Sequence, residues 1–186
     1  MLGSTVRRSI IGFTAVAIAI TGLTACAGES EAPDASTMTL AQTKSPAQLL
    51  RNEAASRIPD TIVDEVAQST DESTACETVE QDPDGLLRKW DSSVRVVLSE
   101  EGGEDVSAIV EDLVASFTDQ GWARGSHGGS IIKLTSETSP TTIHISSVAA
   151  NAEKGTTSIV QLKASGPCVT TEGTESAEVV DLEARD

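Results

Sequence analysis

Tyrosine is absent from this chain of 186 residues, which holds only two tryptophans and two phenylalanines. So few rings leave little platform on which bases or sugars could stack. Basic side chains are scarce as well: 13 Lys and Arg stand against 29 Asp and Glu, a formal charge of −16. The first 25 residues hold two of the arginines and no acid, so without them 161 residues remain with 11 bases and 29 acids, a charge of −18. A surface this negative is repelled by phosphate backbones and gains no counterion-release energy from them, which argues against nucleic acid as a partner. Histidine occurs only twice. The length fits one domain with appendages.

What is there begins at the N-terminus. Arg7 and Arg8 precede a stretch from Ser9 to Gly28 without charge, in which Ile10, Ile11, Phe13, Val16, Ile18 and Ile20 form an apolar run. A basic start followed by a moderately apolar segment is the pattern of a secretory leader. The run ends in Leu23-Thr24-Ala25-Cys26, which resembles the bacterial lipobox. That resemblance implies a signal peptide over residues 1–25, cut just before Cys26, and a diacylglycerol (palmitate-class) modification on the Cys26 sulfur. It implies a lipoprotein held on the extracytoplasmic face of the cell membrane. Several acyl chains supply the multiple anchors that stable attachment requires. A retained transmembrane helix competes, because about 20 uncharged residues suffice to span a bilayer. Ser9, Thr14, Thr21, Gly22 and Thr24 dilute the run and weigh against it.

Residues 26–44, after the anchor position, are small, polar and acidic, and cannot bury enough apolar surface to offset their ordering entropy. They read as a disordered tether. Residues 171–186 carry six acids and one Arg without a clear period, and read as an acidic tail, disordered or loosely helical. A single α+β domain is expected over 45–170.

Within it, Ser45-Pro46-Ala47-Gln48 matches a capping box with proline at the first helical position. Leu50, Ala54 and Ile58 then share a face up to Pro59. Asp60 is placed to cap a second short helix carrying Ile62, Val63 and Val66. Asp60 to Gly85 holds nine acids and no base, a strongly negative surface. Val94, Val96 and Leu98 alternate as a strand led by Trp90. After Gly102-Gly103, the spacing of Val106, Ile109, Val110, Leu113, Val114 and Phe117 predicts a helix with one buried face. Gly121 and Trp122 complete a Schellman ending, in which Phe117 and Trp122 touch. Three strands follow, Ile131–Thr135, Thr142–Val148 and Thr157–Ala164, the last two joined by a hairpin loop from Asn151 to Gly155. The predicted fold is N-terminal helices followed by a β-α-β-β-β unit, an antiparallel sheet with helix packed on one face.

With Cys26 assigned to lipid, Cys76 and Cys168 remain. In an exported module a disulfide between them is the default, and no Cys-x-x-Cys motif supports a redox pair. Closing a loop of about 90 residues is worth roughly 4.5 kcal/mol in the chain-entropy treatment.

Candidate chemistry is sparse. Glu80 to Asp91 partly resembles a calcium-binding EF-hand loop, with carboxylates at Glu80, Asp82 and Asp84 and a glycine at Gly85. Pro83, Arg88, Lys89 and the short Asp91 depart from that pattern, and Asp-Pro-Asp-Gly is also an ordinary turn. His144 falls with Thr142 and Ser146 on the polar side of its strand, and His127 sits in a glycine-rich turn. A zinc site would need further ligands. The turn lacks the Gly-Lys-Ser/Thr of a phosphate loop, and neither Ser126 nor Ser130 sits in a nucleophile elbow. No metal, cofactor or catalytic residue is assigned.

Together the lipobox, acidic tether, Trp90-led strand, Phe117…Gly121-Trp122 helix end and Ser165-Gly166-Pro167-Cys168 resemble the small lipoproteins of actinobacteria. The resemblance implies an envelope location and no particular activity. The expected function is a non-enzymatic, membrane-anchored interaction or binding module for an envelope protein or wall polymer. Its net charge favours basic surfaces. A small-ligand or calcium-dependent binding protein is the first alternative, and a carboxylate-based hydrolase the second.

Overall fold

The computed structural model describes residues 37–126 and 130–184. Their architecture is mixed α+β, an antiparallel sheet of seven strands with three helices. In chain order these are α1 (Leu40–Ser56), β1 (Val63–Ala75), β2 (Leu87–Leu98), α2 (Val106–Thr118), β3 (Ala123–Ser126), β4 (Ile132–Ser136), β5 (Ser139–Val148), β6 (Ile159–Ser165), β7 (Val169–Thr170) and α3 (Ala177–Glu183). The strands lie in the order β1-β2-β6-β5-β4-β3, and β7 adds a short pairing to the start of β2.

Helix α1 begins earlier than the capping box at Ser45 predicts. Thr39 and Gln42 form the same reciprocal box one and a half turns upstream: Gln42 N–H donates to Thr39 Oγ1, and Thr39 N–H to Gln42 Oε1 at 2.9 Å. The added turns are retained because Leu40 and Thr43 are fully buried. Pro46 therefore lies inside the helix rather than at its first position. It has no N–H to give to the carbonyl one turn back, so packing outweighs a lost hydrogen bond. Residues 40–44, expected in the tether, are thus helical.

The second N-terminal helix is not formed. Asp60–Ile62 make a single 3-10 turn, and the chain then runs into β1, a strand missing from the sequence reading. β1 forms one long outer ladder with β2, from Val63 opposite Leu98 to Ala75 opposite Arg88. Register shifts after Val63 and Ala67, with Gln68 at φ 47°, break its alternation. Only Ser73 of its side chains is buried, Asp64, Glu65 and Glu72 face water, and no period-2 pattern survives. Backbone pairing, not side-chain burial, holds it in place.

The predicted helix α2 and its ending are formed as read. Asp105 caps it, its carboxylate accepting from Ala108 N–H at 3.0 Å. At the other end Trp122 N–H donates to Phe117 O and Gly121 N–H to Thr118 O, and the two rings meet edge to face with centroids 5.5 Å apart. Gly121 takes φ +87°, the left-handed conformation this ending demands. Gly155 also sits left-handed, closing the expected loop between β5 and β6.

Both α1 and α2 cover the same side of the sheet. Trp90, Val94, Val96 and Leu98 of β2 meet Ile143 and Ile145 of β5 and Val160 and Leu162 of β6 beneath Leu50, Ala54, Leu113 and Phe117. One polar cluster lies under α1: Arg51 pairs with Asp71 at 2.5 Å, and Asp71 also accepts from Trp90 Nε1 at 3.2 Å. Lys44 lies over the Trp90 ring and donates to Leu182 O at 2.8 Å. This last bond joins α1 to α3. The expected tail is therefore structured over α3, with Val179 buried and Glu183 accepting from Ser73 N–H on β1.

Cys76 and Cys168 are joined by a disulfide across 92 positions, with Cα atoms 6.1 Å apart. Because β1 and β7 were not expected, the bridge sits differently from the sequence reading. Cys76 follows β1 and Cys168 precedes β7, and both adjoin the start of β2.

Candidate functional site

With its helices on one side, the sheet leaves its other side open to solvent. Strand alternation decides what stands there. On β2 the core takes Trp90, Ser92, Val94 and Val96, so Lys89, Asp91, Ser93 and Arg95 point outward. On β6 the core takes Val160, Leu162 and Ala164, leaving Gln161 and Lys163 outward. On β5 Ile143 and Ile145 face inward, and His144 and Ser146 outward. Lys133 follows the same rule on β4, where Leu134 is the buried neighbour.

Register then lines these residues up. Lys133 is directly opposite His144, His144 opposite Lys163, and Lys163 opposite Ser93. Adjacent strands are about 4.8 Å apart, so Lys133 and Lys163 are separated by about 10 Å with the imidazole between them. A groove of about 280 Å³ crosses this face, lined by Lys89, Ile131, His144, Ser146, Gln161 and Lys163, with Ser165 at its floor.

Asp91 is the acid at the groove's edge. Although on the outer side of β2 it is only 3 % exposed, because it is ringed by donors. Lys163 Nζ lies 2.7 Å from Oδ2, Thr74 Oγ1 donates to the same oxygen at 2.7 Å, and Ser165 Oγ donates to Oδ1. Burial pushes its carboxyl pKa up, but the hydrogen bonds from Lys163, Ser165 and Thr74 outweigh burial and hold it below the usual carboxylate range. Asp91 is thus a fixed negative charge that positions the Lys163 ammonium.

Of the residues singled out from the sequence, His144 and the end of the Glu80 to Asp91 segment reach the groove, the segment through Lys89 and Asp91. Cys26 and the leader lie outside the described residues, as does His127. Glu80 to Asp91 does not converge on a point. Asp82 turns both oxygens onto backbone, accepting from Leu87 N–H at 2.7 Å and Leu86 N–H at 2.9 Å, and these bonds lower its pKa. Asp91, at the far end of that segment, is committed to Lys163, Ser165 and Thr74. Among the described residues no group of three or more His, Cys, Asp or Glu is placed to hold a metal ion.

The sequence reading overlooked Lys89, Arg95, Lys133 and Lys163. Alternation within Ile132-Lys133-Leu134 and Leu162-Lys163-Ala164 marks the lysines as outward-facing. It carries no sign that β4, β5 and β6 are neighbours in this register, and only the register makes a row of them. Comparison of the chain with protein-family models, curated proteins and solved structures finds no match.

Proposed function

We propose that this protein is a lipid-anchored module on the extracytoplasmic face of the membrane, a non-enzymatic binding protein for an envelope component. The observation that carries the reading is the Cys76–Cys168 disulfide, because such bonds persist in oxidising, exported compartments. It agrees with the leader and lipobox ending at Cys26. The non-enzymatic part rests on the acids. Asp91, the acid at the groove, is tied up by Lys163, Ser165 and Thr74, whereas a general acid or base needs to reach a substrate proton. Carboxylates held ionised serve as structural charges.

Intact mass analysis of protein extracted from membranes tests the anchor. The expected result is a chain starting at Cys26 with added acyl mass, and a Cys26→Ser variant that leaves the membrane fraction. An uncleaved leader with a free thiol at position 26 refutes the reading.

A further inference from the structure

Lys133, His144 and Lys163 stand in successive register on β4, β5 and β6, which sets a lysine on either side of the imidazole. The chain has 29 acids for 13 bases, so neutralising partners are abundant. Asp91 neutralises Lys163. The ammonium groups of Lys89 and Lys133 form no ion pair among the described residues. A strongly acidic protein thus leaves Lys89 unpaired in a groove on its open side, with Lys133 next to His144 on the same face.

The groove is chemically graded. Lys89 supplies the groove's unpaired cation and Lys163, 41 % exposed, its Asp91-paired one, while His144, Ser146 and Gln161 line the rest. Ile131, 39 % exposed, supplies an apolar wall. We infer that this groove binds a small organic oxyanion, its charged end between Lys89 and Lys163 and its body lying along His144 and Gln161 toward Ile131. The inference rests on the binding-protein reading and gives it a ligand class.

Size and surroundings favour a small ligand over a polyanion or a bilayer. At physiological salt charges act over about 8 Å, so the groove's cations govern its own length despite the net charge of −16. A longer polyanion would run onto β1, where Glu72 stands opposite Asp91 on the same face. An anionic bilayer would meet the same acids before reaching into the groove. Lysine serves here as a point charge, suited to carboxylate and phosphate alike, so the two sources are separated by experiment.

Calorimetric titration of the full processed protein, at low and at physiological salt, decides the matter. The probes are hexanoate, glucose 6-phosphate, inorganic phosphate, short-chain polyphosphate and phosphatidylglycerol vesicles. Saturable binding of hexanoate or glucose 6-phosphate, tighter than inorganic phosphate, is expected, and the tighter of the two names the source. Lys89→Gln should weaken it about tenfold, a change of about 1.4 kcal/mol. Lys154→Gln, in the β5–β6 loop away from the groove, should leave it unchanged. The inference is overturned if neither organic anion binds, if inorganic phosphate binds as tightly, or if polyphosphate or vesicles bind more tightly. It is equally overturned if Lys154→Gln weakens binding as much as Lys89→Gln. None of these outcomes depends on the acyl mass at Cys26, so this inference and the anchor fail separately.

Discussion

Asp91 shows how one side chain sets the electrostatics of the open face. Its folded pKa is lowered, so it contributes stability above the unfolded carboxylate value, and that contribution is lost as pH falls through the lower folded value. Asp91→Asn should therefore destabilise the protein by about 1–3 kcal/mol near neutrality. The difference from the parent should shrink below about pH 4, where the unfolded carboxyl protonates. Urea unfolding across pH checks both the size and the direction, and a gap that widens in acid contradicts the assignment. Gly102 acts through space instead of charge. A Cβ there would come within 2.4 Å of Ile62 Cβ and 2.9 Å of Ile62 O, and the backbone oxygen cannot swing aside. Gly102→Ala should cost about 1–3 kcal/mol as overpacking, read from the urea midpoint at unchanged slope.

Among the elements, α3 is the one whose docking is easiest to test. Val179 is 2 % exposed in a helix of seven residues, too short to persist alone. Val179→Ala should lower stability by about 1–2 kcal/mol. If α3 detaches first, limited proteolysis should cut near residue 175 before the sheet unfolds. The same contrast between local and non-local support explains what the sequence reveals. α2 is legible because its apolar spacing, its Asp105 cap and its Gly121 ending all agree within one segment. β1 is not, because its register shifts erase alternation and its partner lies beyond a loop of 11 residues, between Ala75 and Leu87. The start of α1 is misplaced because two capping boxes compete, and burial of Leu40 and Thr43 selects the earlier one. The groove is half legible: which lysines face outward follows from alternation, but their assembly follows from strand order.

For the molecule as a whole, the disulfide is the largest single constraint. It spans 92 positions and encloses β2 through β6, a loop worth about 4.6 kcal/mol in the chain-entropy treatment. Net domain stabilities of about 5–15 kcal/mol make that a large share. A Cys76→Ser/Cys168→Ser double variant, or the reduced protein, should unfold at markedly lower urea concentration while the parent is unaffected by buffer without reductant. The outer strand β1 has another consequence at this scale. Along its 13 residues alternate positions turn backbone donors and acceptors to the outer side, Ser73 being occupied by Glu183 and Arg88, and such an edge is the kind onto which a sister chain can add itself. Asp64, Glu65 and Glu72, together with the kink at Gln68, make that edge a poor template for its own kind. Copies of this chain crowded side by side thus gain a built-in guard against fibrillar stacking.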